Sequence, residues 1–172
     1  MADIRIYGDP ILRKNAEEVT VFDDKLRAFV NQMKKDMHES DGVGLAAPQV
    51  GRSTRLCVVD PTAGEEEPYV LINPEIVYFS KEEEDYNEGC LSVPDITLPI
   101  KRPCVISVCA KDEKGKEYTL EKVEGLLARA IQHETDHLNG ILFVDRASVV
   151  RRQLISGKLK KLAKSHHNKS KA

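Results

Sequence analysis

The sequence predicts an α+β fold: mixed or antiparallel β-sheets around a buried central helix, with one helix before them and one after. Two observations carry this. Apolar residues recur at helical spacing over 23–39, 124–138 and 148–163. Between the first two of these segments, short apolar runs bounded by Gly, Pro and acidic clusters read as strands. The 172 residues are 41% apolar, which suits one domain spanning 1–172 whose last part, 147–172, is a basic helix and tail.

Each element has its own local reason. The stretch GDPILR near the start is an irregular entry punctuated by Gly8 and Pro10. Over 23–39, Leu26, Phe29, Val30, Met33 and Met37 form one face, and Asp23 or Asp24 caps the start. The methionines read as core filler, and His38 as an exposed or capping side chain at the helix end. DGVGLAAPQVG (41–51) cannot continue that helix, because three glycines and Pro48 make it a shaped loop. RLCVVD, YVLINPEIVYF, CVISVCA and EYTLEKV are the strands, the last two joined by a turn at DEKG. The acidic runs EEE at 65–67 and KEEED at 81–85 read as solvated turns. Leu126, Leu127, Ala130, Ile131 and Leu138 make the stripe of the central helix, which Gly140 ends. The last helix, 148–163, offers Val149, Val150, Leu154, Leu159 and Leu162.

Composition narrows the function classes. Net charge is −2, so the whole chain is no polyanion binder. Residues 147–172 hold eight of the 26 basic residues and no Asp or Glu, leaving 18 cations against 28 anions in the rest. A basic tail on an acidic body implies a separate task for the tail. No apolar run approaches the roughly 20 residues of a membrane span, and the charged opening MADIRIYGDP lacks a secretory apolar region. Of the four cysteines, Cys57 and Cys109 lie in apolar strand-like runs, so the expectation is a reduced, cytoplasmic protein.

The chemistry begins at QHETDHLNG (132–140). On a helix, His133 and His137 lie one turn apart on one face and can place two imidazoles on a single cation. Glu134 is offset by about 100°, which suits a proton carrier beside the cation rather than a ligand. With five His in the chain, this pattern arises by chance in roughly one per cent of such sequences, so it is specific. A catalytic site takes a third protein ligand and keeps a position for water. None is available downstream: residues 138–172 contain no Glu, and His166 and His167 sit in the basic tail. Upstream candidates are His38, the cysteines and several carboxylates. Cys90, in NEGCLSVP, stands out because it lies at a loop or strand end and a thiolate suits a borderline metal.

Three stretches, GVGLAAPQVG, EGCLSVP and QHETDHLNG, resemble the three signature motifs of the peptide deformylase family, in order. GDPILR, GLLARAIQHE and NGILFVD are similar too, so the resemblance spans about residues 5 to 147, in the compact bacterial form. One departure is that DITLPIKRP follows SVP, where many members have Gly and an aromatic residue; that alters the cleft near 95–101.

The resemblance implies hydrolysis of the N-formyl group of N-formylmethionine on nascent peptides, releasing formate. It implies a metal held by Cys90, His133 and His137: one Fe(2+), replaceable by Zn(2+), Ni(2+) or Co(2+). Hydroxide made from the metal's water attacks the formyl carbon while Glu134 serves as general base and acid. Gln49, through its amide, and Leu91, through its backbone N–H, donate to the developing oxyanion. Gly44 lets backbone approach the substrate, forming a wall that admits a formyl hydrogen and resists an acetyl methyl. Val43, Leu45, Leu91, Leu126, Ala130 and the stem of Arg129 line the methionine pocket. Glu88, two residues before Cys90, is placed to brace a ligand His or Arg102. The basic tail implies ribosome contact as a further partner interaction. The alternatives are a zinc endopeptidase of the HExxH type, which lacks its downstream ligand here, and a non-catalytic metal- or RNA-binding module, in which Glu134 would have no use.

Overall fold

The computed structural model describes the backbone of residues 3–169 and the side chains of residues 3–165. After a 3-10 turn at Pro10–Arg13, helix α1 (Asp24–Glu39) starts where Asp23 accepts a hydrogen bond from the Leu26 N–H, as an N-cap should. The segment expected to be a loop contains a short strand, β1 (Gly44–Ala46), and a second 3-10 turn at Ala47–Val50. Strands β2 (Leu56–Val59), β3 (Tyr69–Phe79), β6 (Val105–Lys111) and β7 (Glu117–Glu124) follow the sequence expectation. With β1 they form a five-stranded antiparallel sheet in the order β1-β2-β3-β6-β7.

Strand periodicity explains how this sheet divides its core. Leu56, Val58, Val70 and Ile72 face α1, packing with Val30, Met33 and Met37. Cys57, Val59, Leu71, Ile106 and Val108 face the other way, against Ala128, Ile131 and Leu138 of α2 (Gly125–Leu138). The central helix is therefore buried by the alternate residues of the same strands that bury α1.

The expectation of a solvated turn at 81–85 fails. The acidic run 81–85 enters strand β4 (Glu83–Cys90), and DITLPIKRP belongs to β5 (Val93–Pro103); the two pair antiparallel as a separate hairpin. Most of β4 is solvent-facing, so its acidic side chains carry the strand at no burial cost. β5 alternates, burying Ile96, Leu98, Ile100 and Arg102. A third core joins β5 to Leu12, Phe143 and Val144 of a helical turn α3 (Phe143–Arg146), and Leu159 of α4 (Val149–Lys169). Helix α4 is longer than expected, and Val149, Val150 and Leu154, expected on its apolar face, are exposed. Among the described residues no helix is long and apolar enough to cross a membrane.

Candidate metal centre

Three elements converge. Cys90 ends β4, Gln49 sits in the turn after β1, and His133, Glu134 and His137 come from α2. One ligand atom from each of Cys90, His133 and His137 can be chosen so that all lie within 4.8 Å of one another. Cys90 Sγ is 3.3 Å from His137 Nε2. Bonds of about 2.0–2.3 Å in a tetrahedron give ligand–ligand edges of about 3.5 Å, so this pair fits two positions on one cation. One sulfur and two imidazole nitrogens are the donor set of a borderline divalent metal. His38 joins none of this; its Nε2 lies 2.7 Å from Asp60 Oδ2, at the far end of α1.

The two imidazoles are held differently. His133 Nδ1 lies 3.0 Å from Glu88 Oε2, leaving Nε2 for the centre. Glu88 also accepts from Arg102 at 2.7 and 3.0 Å and from Arg129 at 2.8 Å. Burial alone would raise the Glu88 carboxyl, but hydrogen bonds from His133 and Arg102 hold it at about 2. His137 Nδ1 is buried and has no partner among the described residues; packing, not a carboxylate, fixes that ring.

Glu134 is 4% exposed, and its Oε2 likewise has no hydrogen-bond partner among the described residues. Burial, opposed by nearby His133 and Arg102, raises its pKa to about 7. A buried carboxyl with an open oxygen is costly unless something else engages it. Gly44 creates the room for it. A Cβ on Gly44 would lie 2.5 Å from Glu134 Oε1 and 2.8 Å from its Cγ. The glycine thus serves the approach of Glu134, where the sequence suggested approach of substrate.

Gln49 is oriented by its own turn. Its Oε1 accepts the Ala46 N–H at 2.8 Å, which aims Nε2 at Ser92 Oγ (3.2 Å) and Cys90 Sγ (3.5 Å). A cleft of about 510 Å³ opens over the centre, within the range of small-ligand sites. Val43, Gly44, Gln49, Cys90, Leu91, Leu126, Arg129, Ala130, His133 and Glu134 line it as expected. Leu45 does not: it is fully buried in the core beneath α1. In a strand, neighbours point to opposite faces, so a β1 that turns Gly44 to the cleft sends Leu45 away from it. Tyr86, Asn87 and Pro94 line the cleft without having been singled out in the sequence. Ser92 and the bracing role of Arg129 were also missed. Arg129 lies four residues before His133 on the same helix face, a spacing that marks it as a neighbour.

The profile of the family described as "Polypeptide deformylase" matches residues 1–153. A protein named peptide deformylase from Thermotoga sp. (strain RQ2) is 47% identical over 165 residues, covering 96% of this chain and 98% of its own. One from Brucella suis biovar 1 is 42% identical, covering 95% of this chain and 94% of its own. Among solved structures, peptide deformylase 1B of Arabidopsis thaliana in complex with an inhibitor superposes with a TM-score of 0.94 at 37% identity, covering 100% of this chain and 95% of that one. A peptide deformylase from Legionella pneumophila gives 0.88 at 41%, covering 97% and 98%.

Proposed function

The chain belongs to the polypeptide deformylase family and removes the N-formyl group from nascent peptides; from that premise we propose which of its residues carry the hydrolysis. The observation that supports the assignment is the meeting of Cys90, His133 and His137 beside a buried Glu134 whose Oε2 is unpartnered.

Cys90, His133 and His137 hold the divalent metal. When bound, it supplies Lewis acidity, easing deprotonation of water and polarising a carbonyl oxygen. Glu134 takes the proton from the attacking water at its open oxygen. A carboxyl raised by burial can later give that proton back near neutral pH, here to the amine as the C–N bond breaks. Water's oxygen ends in formate, and the peptide keeps a free amino terminus. The Gln49 amide and the Leu91 N–H donate to the charge that grows on the formyl oxygen; being neutral, neither titrates as the reaction proceeds. Glu88 keeps His133 Nδ1 engaged, so that Nε2 stays available as a ligand.

Leu126, Ala130, Val43 and Leu91 take the methionine side chain, and Gly44 with Glu134 sets a wall that discriminates a formyl hydrogen from an acetyl methyl. The resident ion is Fe(2+), replaceable by Zn(2+), Ni(2+) or Co(2+), all of which accept this donor set. The protein works in the cytoplasm, where a reduced Cys90 persists. The basic C-terminal part of the chain, which includes the exposed lysines of α4, contacts ribosomal phosphates.

The test is anaerobic purification, metal analysis and an assay of formate release from a formyl-Met peptide. One equivalent of metal and steady formate release are expected. Metal-loaded protein that releases no formate would overturn the assignment.

A further inference from the structure

A second groove opens beside the cleft. It lies between the start of β5 and α4, has a volume of about 300 Å³, and is lined by Pro94, Ile96, Leu162, Lys158, Lys161 and their neighbours Asp95 and Ser165. Pro94 also lines the cleft over the metal centre, so the two depressions share a wall. Ile96 is buried and Leu162 half-buried, giving the groove an apolar floor. Lys158 and Lys161 are exposed at its rim and bond to no carboxylate among the described residues. The arginines at the start of α4 differ, since Arg151 pairs with Asp85 and Arg152 with Asp145. Lys158, Lys161, Leu162 and Ser165 follow the i, i+3, i+4, i+7 pattern of one helix face, while Lys160 and Lys164 lie on another. Asp95 is the groove's only carboxylate among the described residues. It sits at φ 60°, the left-handed region that Gly fits and Asp tolerates. The chain therefore makes this turn with a residue other than glycine, and places a side chain at the groove.

We propose that this groove receives the residues of the formylated peptide downstream of its methionine, and that Lys158 and Lys161 favour acidic side chains there. This rests on the deformylase reading. The cleft has the volume of a small ligand, so a nascent chain must run out of it, and the wall at Pro94 leads into the groove. The apolar floor accepts aliphatic stems while the lysine pair attracts carboxylates. The rest of the protein opposes that preference, because residues 1–146 carry ten more anions than cations. Electrostatics from the whole body would select basic peptides, so selection of acidic ones must come from a local feature.

The experiment compares formyl-Met-Ala followed by three Glu, three Gln or three Lys. Each kcat/KM is divided by that of formyl-Met-Ala itself, which carries no downstream charged side chain. Exposed ion pairs of this kind change affinity by about twofold to fivefold. The wild-type protein should therefore prefer the Glu peptide over the Lys peptide by about that factor, through KM, and lose the preference in high salt. In K158E/K161E the order should reverse, and in K158Q/K161Q the preference for the Glu peptide should be lost. Equal normalised values for the Glu and Lys peptides in the wild type would overturn the proposal, as would an unchanged ranking in either variant. Failure of the deformylase reading is separate: formyl-Met-Ala would then release no formate at all.

Discussion

The two faces of α2 carry opposite kinds of polar chemistry within one helix diameter. On the cleft side, Glu134 Oε2 and His137 Nδ1 are buried without partners among the described residues. On the far side, Asp136 accepts from Arg102 at 2.8 Å and from Arg146 at 2.6 and 3.1 Å, and Gln132 donates to the Pro103 carbonyl at 3.0 Å. Thr135 Oγ1 is that side's one open atom among the described residues. Glu88 connects the two, holding Arg102 and Arg129 with one carboxylate that also reaches His133. A buried polar atom left open costs stability. The difference teaches that the molecule leaves the Glu134 oxygen open where water and substrate can engage it, and satisfies its charges where they only support.

This contrast breaks first, and most strongly, at Glu134. Glu134→Gln should lower turnover by about 10²–10⁴-fold, while metal content stays at the wild-type level and the thermal midpoint does not fall. Loss of metal together with activity would show that the two faces are not separable. Gly44→Ala should cost about 10²-fold in turnover, since a displaced catalytic group loses about that much. The new methyl would occupy the space of the Glu134 carboxylate, so metal should again remain; a variant with wild-type rates would remove Gly44 from the account.

Substitutions in the supporting network should act on retention rather than chemistry. Glu88→Gln keeps the shape but loses the charge that faces His133, Arg102 and Arg129. Metal affinity, measured by competition with a chelator, should weaken about 10–100-fold, and unchanged affinity would end the bracing role. The smallest effect is expected at Arg146, which is half exposed and shares Asp136 with Arg102. Arg146→Ala should lower stability by about 1 kcal/mol in denaturant unfolding and leave formate release alone. A loss several times larger would mean that Asp136 depends on its outer partner.

The cleft side of α2 was more legible in the sequence than the far side, for physical reasons. His133, Glu134 and His137 sit on one continuous helix, so their spacing already fixes their geometry. Cys90 followed because alternatives downstream were missing, and Glu88 because strand neighbours two apart share a side. Arg102 and Asp136 are 34 residues apart, and nothing local in either stretch announces their pairing. The β4–β5 hairpin was hidden by its composition: an acidic run and three prolines look like turns, yet a two-stranded sheet with one solvated face tolerates both. Leu45 shows the reverse failure. It was grouped with Gly44 by motif, whereas the alternation of even a three-residue strand assigns it to the α1 core.

The central claim is that a sulfur from β4 joins two imidazoles from α2 on a single cation. X-ray absorption at the metal edge of the anaerobically loaded protein tests it most directly. The account predicts one sulfur scatterer at about 2.3 Å with two imidazole nitrogens at about 2.0–2.1 Å, and loss of the sulfur shell in Cys90→Asp. A spectrum of the wild-type protein with only nitrogen and oxygen neighbours would contradict it.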